Sequence, residues 1–240
     1  YAGAVFFGGL SMRRKLLRYF SRAERLLWGL SVVFIVGAFC AFDRENYLTL
    51  AASLIGVTSL IFNAKGNPIG QVLMVLFSLL YGIISYTFAY YGEMITYLGM
   101  TLPMAIWSAV TWLRNPSSGN TGEVAIQKLG KKQFLILLGL SAAVTIGFCL
   151  LLWYLDTPNL LFSTISVTTS FLAASLTMLR SSYYALGYAA NDLVLVILWG
   201  LAAMENPGYI PVIINFMIFF LNDMYGFLSW RKREQIQKLT

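Results

Sequence analysis

Long apolar runs broken by short polar joints recur eight times along the chain, at residues 26–42, 47–64, 69–91, 94–113, 133–153, 159–179, 186–204 and 209–230. Each is close to the ~20 residues that a helix needs to cross the hydrocarbon core of a bilayer. Strands of a membrane barrel would alternate polar and apolar positions, and these runs do not. The pattern predicts an all-α integral membrane protein with eight transmembrane helices.

Charge placement tests the count independently, because cytoplasmic loops collect Lys and Arg. With the N-terminus inside, every basic residue falls on the inner side except Arg44, while Asp43, Glu45, Glu93, Asp156 and Glu205 mark the outer joints. Adding or losing one span would scramble that partition, so both termini are expected in the cytoplasm. Composition agrees: 58% of the 240 residues are hydrophobic and 11% charged, with a mean hydropathy of +0.71. That leaves too little polar surface for a soluble globule of this length. The net charge of +7 then reads as a topology signal and an attraction to anionic lipid. No nucleic-acid-binding motif accompanies it.

Sliding the chain against itself by 118 positions brings Tyr81-Gly82 onto Trp199-Gly200, Tyr91 onto Tyr209, Trp107 onto Tyr225 and Trp112 onto Trp230. The implied unit is three spans, 47–113 and 159–230, joined by a loop and linker helix over 114–153. One linking span leaves the two triplets parallel, an arrangement found in transporters whose site lies between the halves near the midplane. The first span, 26–42, stands outside the repeat as an accessory helix, after a basic N-terminal segment (1–25) and before a tail at 231–240. MRRKLLRYFSRAERLLW is expected to lie along the inner membrane surface. Residues 1–10 begin without Met and carry no reading. The Pro, Ser and Gly of RNPSSGNTGEVAIQKLGKK suit a flexible tether between the halves.

Several chemistries are absent. The chain has no His, hence no imidazole metal site or proton shuttle, and no cofactor or metal is expected. No phosphate-binding G-x-x-x-x-G-K-[ST] occurs. The G-x-G-D pattern of intramembrane aspartyl proteases is missing. Cys40 and Cys149 are single residues in apolar spans and read as packing side chains.

What remains is a set of polar groups at membrane depth, where ionisable side chains cost a few kcal/mol and mark sites by default. In the last span Asn215, Asn222 and Ser229 share a stripe flanked by Tyr225, with Asp223 about a quarter-turn away. In the seventh, Tyr188, Asp192 and Trp199 share a face beside Asn191. Trp107 occupies the repeat position of Tyr225, and Gln71 near the start of the third span is the counterpart of the seventh-span cluster. These residues are expected to line one cavity between the triplets. Interhelical bonding is the competing role for Asn215 and Gln71, and which of Asp192 and Asp223 faces the cavity stays open. Trp112 and Trp230, beside Arg114 and Arg231, are expected to be interfacial anchors. Pro103 is expected to kink the fourth span.

The pattern resembles the PnuC family of bacterial nicotinamide riboside transporters. The resemblance rests on the three-one-three plan with an extra first span, NAKGN at 63–67, W-x4-W at 107–112, Asp192 in a Trp-containing span, and NDMYGFLSW from Asn222 to Trp230. It implies a fold like the SWEET sugar transporters, a homo-oligomer (a trimer), the bacterial inner membrane, and uptake of nicotinamide riboside by facilitated diffusion without a cofactor. It also implies Asp192 and Asn222 as members of the substrate site. The substrate's chemistry fits the residues: aromatic faces suit a flat pyridinium cation, amides suit its carboxamide and hydroxyls, and a carboxylate balances its charge. The rival readings are a transporter of another nucleoside or a sugar, proton-coupled or not, a receptor that binds without moving ligand, and a membrane enzyme.

Overall fold

The computed structural model describes residues 19–42, 44–88, 90–118, 120–157 and 159–238. Among them eight helices are long and apolar enough to cross a membrane: α1 (Arg22–Phe42), α2 (Tyr47–Ala64), α3 (Pro68–Thr87), α4 (Tyr91–Arg114), α5 (Lys131–Tyr154), α6 (Leu160–Met178), α7 (Tyr184–Glu205) and α8 (Ile210–Gln237). Of the surface segment expected over residues 12–28, the part before Tyr19 lies outside the described residues, as do residues 1–10 and Asp43.

Local chemistry sets the helix ends. Ser21 and Glu24 close a reciprocal capping box, Ser21 N donating to Glu24 Oε2 at 2.7 Å and Glu24 N to Ser21 Oγ at 3.2 Å, so α1 starts four residues before its apolar run. Asn67 caps α3 through Ile69 N, with Pro68 in the first turn. The last helix runs seven residues past Trp230, so the segment 231–237 continues α8. Arg231 and Lys238 hold Glu234 at 3.0 and 2.8 Å, three and four residues apart.

Helix α4 is not regular. Residues Thr96–Thr101 form a π-helical turn that ends as Leu102 N donates to Tyr97 O. Pro103, the next residue, has no N–H to offer the Gly99 carbonyl one α-turn back, and the wider turn absorbs that break.

The two triplets are α2–α3–α4 and α6–α7–α8, with α3 packed on both partners in the first and α7 on both in the second. They meet through α8 on α2 and α4 on α6, two contacts that exchange under the repeat. Helix α1 lies against α2 and α8, and α5 against α6. Small residues allow the close crossings. A Cβ on Gly70 would come within 2.6 Å of Asn63 N, and one on Gly187 within 3.0 Å of Ala173 Cα.

Residues 118 positions apart touch. Trp199 Nε1 donates to Tyr81 Oη at 2.8 Å, and the Trp112 and Trp230 rings pack together, tilted by 44°, with centroids 5.2 Å apart. In a parallel repeat only residues on the axis relating the halves can meet their own equivalents, so these two pairs mark that axis near opposite ends of the bundle. Trp112 and Trp230, at 1% and 0% exposure, are therefore axial core residues and not interfacial anchors. Each indole reaches across the interface to the last turn of the other triplet's first helix, Trp230 Nε1 to Asn63 O at 2.7 Å and Trp112 Nε1 to Thr177 O at 3.0 Å.

The segment 114–132 is no loose tether. Strands β1 (Pro116–Ser117) and β2 (Asn120–Val124) pair antiparallel, and the chain beyond crosses the end of the bundle that gathers the basic residues, called the basic end below. Val124 N donates to Gly66 O at 2.9 Å and Gln127 N to Arg180 O at 3.0 Å. Gly66 and Arg180 occupy the equivalent turns before α3 and α7, both with left-handed backbone (φ 69° and 56°). Ile126 N donates to Gln237 Oε1 at 2.8 Å, Arg233 pairs with Glu123, and Val124 is buried against Trp112, Tyr184 and Trp230. One extended strand thus straps both triplets across the axis.

Candidate functional site

Between the two aromatic pairs lies the carboxyl pair. Asp192 stands seven residues before Trp199 on α7 and Asp223 seven before Trp230 on α8, so each is about 10 Å from its aromatic layer at 1.5 Å per residue. Both are 4% exposed, and their side chains come within hydrogen-bonding reach of each other. Asp192 Oδ2 has no partner, and neither residue makes an ion pair with a Lys or Arg among the described residues. Two buried carboxyl groups this close repel when both are ionised, so the arrangement calls for a proton held on the pair or a positive charge beside it. The choice between Asp192 and Asp223 thereby dissolves, since both face the same place.

The other expected site residues divide. Tyr188 joins the pair, standing close to both Asp192 and Asp223, with Thr177 beside its hydroxyl. Asn191 turns one position away into α6, where its Oδ1 accepts from Thr169 at 2.8 Å, Ser170 at 3.0 Å and Ser166 at 3.4 Å. Asn215 is buried beside Tyr81 with Oδ1 unpartnered, one layer nearer the other end. Gln71 donates to Asn63 Oδ1 at 2.8 Å, a bond inside the first triplet and apart from the aspartates.

Three further residues do not converge on the pair. Asn222 faces the accessory helix, its Nδ2 donating to Ser31 Oγ at 3.0 Å and to Ile218 O at 2.8 Å, because neighbours on a helix point 100° apart and Asp223 takes the axial direction. Tyr225 stands beside Ser21 and Glu24 at the start of α1. Trp107 is 66% exposed on the outer face of α4, where lipid would surround it; its aromatic character matches Tyr225 in sequence but not in surroundings.

The axis also holds groups the sequence reading passed over. Tyr97, in the π turn, packs against Tyr81 at 4.4 Å and Phe77 at 6.0 Å. Tyr90 packs against Trp199 at 4.6 Å. Glu93, read as an outer-joint charge because it precedes its apolar run, is 2% exposed. The signal was available in its spacing, since Tyr90, Glu93 and Tyr97 stand three and four residues apart on one helical face. At the level of Tyr81 and Asn215 the packing around this axis is tight. The space beside Tyr81 and Asn215 amounts to about 10 Å³, whereas sites for small molecules span roughly 300–1,000 Å³. A ligand here requires the triplets to part. A roomier cavity of about 460 Å³, lined by Leu129, Lys131, Phe134 and Tyr183 among others, lies by the start of α5, away from the aspartates.

Comparison with known proteins places the chain. The nicotinamide riboside transporter PnuC of Neisseria mucosa is 27% identical over 211 residues, 86% of this chain and 80% of its own length. That of Haemophilus influenzae is 21% identical over 203 residues, covering 83% and 87%. A crystal structure of the vitamin B3 transporter PnuC superposes with a TM-score of 0.80 at 22% identity, over 91% of this chain and 94% of that one, which establishes a common fold. The sequence profile described as nicotinamide mononucleotide transporter matches residues 46–232, the two triplets and their linker, and the chain belongs to that family of multi-pass membrane transporters.

Proposed function

We propose that the protein carries nicotinamide riboside across the membrane by alternating access, as a uniporter without covalent chemistry. The observation that carries the reading is the buried Asp192–Asp223 pair, without a cationic partner among the described residues, on the axis between two aromatic layers. A pyridinium cation supplies the missing charge, its flat ring suits Tyr188, Tyr97 and Tyr81, and Asn215 has a free amide oxygen for a hydroxyl or carboxamide. The names of the curated relatives support the same substrate.

The family description speaks of the mononucleotide, and the charges favour the riboside. A phosphate monoester carries nearly two negative charges and would need Arg or Lys. Every basic residue of α1–α8 lies in a first or last turn or in the extension of α8 beyond Trp230, whereas the axis presents carboxyl groups. The orientation follows from the same distribution. The basic end faces the cytoplasm, with the strap on that side, in a bacterial inner membrane. A homo-oligomer accords with the largely apolar outer surface, which otherwise meets lipid.

Calorimetric titration of the purified protein tests the reading. Nicotinamide riboside should bind, its mononucleotide should bind at least about a hundredfold more weakly, and Asp192→Asn with Asp223→Asn should abolish binding. Equal affinity for riboside and mononucleotide, or full affinity in the double variant, would remove this site.

A further inference from the structure

Glu93 combines features that its packing alone does not require. Its side chain is buried at the α4–α6 contact between the triplets. Oε1 accepts a long bond from Ser166 Oγ at 3.3 Å, Oε2 has no partner, and no Lys or Arg among the described residues pairs with it. The same hydroxyl lies 3.4 Å from Asn191 Oδ1, a second acceptor for its one proton, which places Glu93 beside the turn of α7 that carries Asp192. On its own helix it stands between Tyr90 and Tyr97. Those rings pack on Trp199 and Tyr81, whose hydrogen bond closes the axis at that level. The repeat does not demand a carboxyl group here, because the position equivalent to Glu93 on α8 is Pro211.

A buried carboxylate with one weak hydroxyl partner is costly in a membrane protein unless a cation or proton visits it. Glu93 lies two residues from the start of α4, at the end of the bundle opposite the strap, and Asp192 lies deeper. A cation coming from that end meets the aromatic group and Glu93 first, then the aspartates.

Building on the transport reading, we propose that Glu93 is a second anionic station for the cationic ring of the substrate, outside the Asp192–Asp223 pair, and that it makes the carrier prefer the charged pyridinium over an uncharged nucleoside of the same shape. The aromatic faces beside it contact either form, whereas the carboxylate distinguishes them by charge.

The test compares nicotinamide riboside with its uncharged 1,4-dihydro form by calorimetry on the purified full-length protein. The wild type should prefer the cation. Glu93→Gln should weaken the cation at least about tenfold and leave the dihydro form within about twofold. Glu93→Asp, which keeps the charge and guards against a folding failure of the glutamine variant, should retain the preference. Ser166→Ala, which removes the hydroxyl and spares the charge, should retain it as well. An equal loss for both ligands in Glu93→Gln, or no loss for either, overturns the proposal and leaves the transport reading standing. A wild-type protein that binds neither form overturns the transport reading itself.

Discussion

Tyr81→Phe removes one hydroxyl and keeps the ring, so it isolates the bond that joins the triplets at the end opposite the strap. That bond, Trp199 Nε1 to Tyr81 Oη at 2.8 Å, joins residues 3% and 0% exposed, and it must break for the axis to open there. Polar contacts between membrane helices contribute about 0.6 kcal/mol on average and up to about 1.7. If the bond exists only in the closed state, its loss multiplies the open population by roughly 3 to 18 at 25 °C. Ser85 reports that population. It lies four residues beyond Tyr81 on α3, fully buried, with its hydroxyl unpartnered, so Ser85→Cys disturbs little. With Cys40 and Cys149 replaced by Ser, modification of Ser85→Cys by a membrane-impermeant maleimide should accelerate by that factor when Tyr81→Phe is added, only for reagent on the side opposite the strap. An unchanged rate, or acceleration from the strap side, would refute the assignment of this pair as a closure.

Other consequences follow from the same geometry. Val124→Ala removes buried methyl groups from the Trp112–Tyr184–Trp230 cluster at about 0.8 kcal/mol each; a cysteine at Ala185 should then react roughly fivefold faster or more from the strap side, and an unchanged rate would show that the strap does not close that end. Asn222→Ala and Ser31→Ala should each destabilise the protein by about 0.6 to 1.7 kcal/mol in denaturant titrations, with the double variant costing less than the sum because they share one bond; strict additivity would contradict the α1–α8 contact. Trp107→Ala should leave ligand affinity within about twofold, since the ring lies outside the axis; a tenfold loss measured by calorimetry would return Trp107 to the site.

The eight spans and the triplet plan were legible because a bilayer imposes both length and charge sidedness on every helix, and two of the pairs matched at the 118-residue offset, Tyr81 with Trp199 and Trp112 with Trp230, meet on the axis. The meaning of those matches was not legible. Trp112 and Trp230 sit beside basic residues, as interfacial anchors do, and only the close approach of the triplets shows them packed together in the core. Asp192 and Asp223 read as two candidates because the sequence does not show how α7 and α8 turn toward each other. Asn222 was drawn into the site by the resemblance and by its neighbour, yet one step along a helix is enough to point it at α1. NAKGN likewise turns out to build a turn: Gly66 supplies the left-handed residue, Asn67 the cap, and Asn63 the acceptors for Gln71 and Trp230. Glu93 was hidden by its place before the apolar run, where a carboxylate is ordinarily solvated. The strap was hidden by composition, because Pro, Ser and Gly describe a hairpin as well as a tether.

Uptake of labelled nicotinamide riboside into liposomes containing only this protein, with no ATP and no ion gradient, tests the central claim most directly. The account predicts saturable uptake that levels off at equal concentrations inside and outside, speeds up when the liposomes are preloaded with unlabelled riboside, and is lost in Asp192→Asn with Asp223→Asn. Binding without flux, or accumulation that requires a proton gradient, would contradict it.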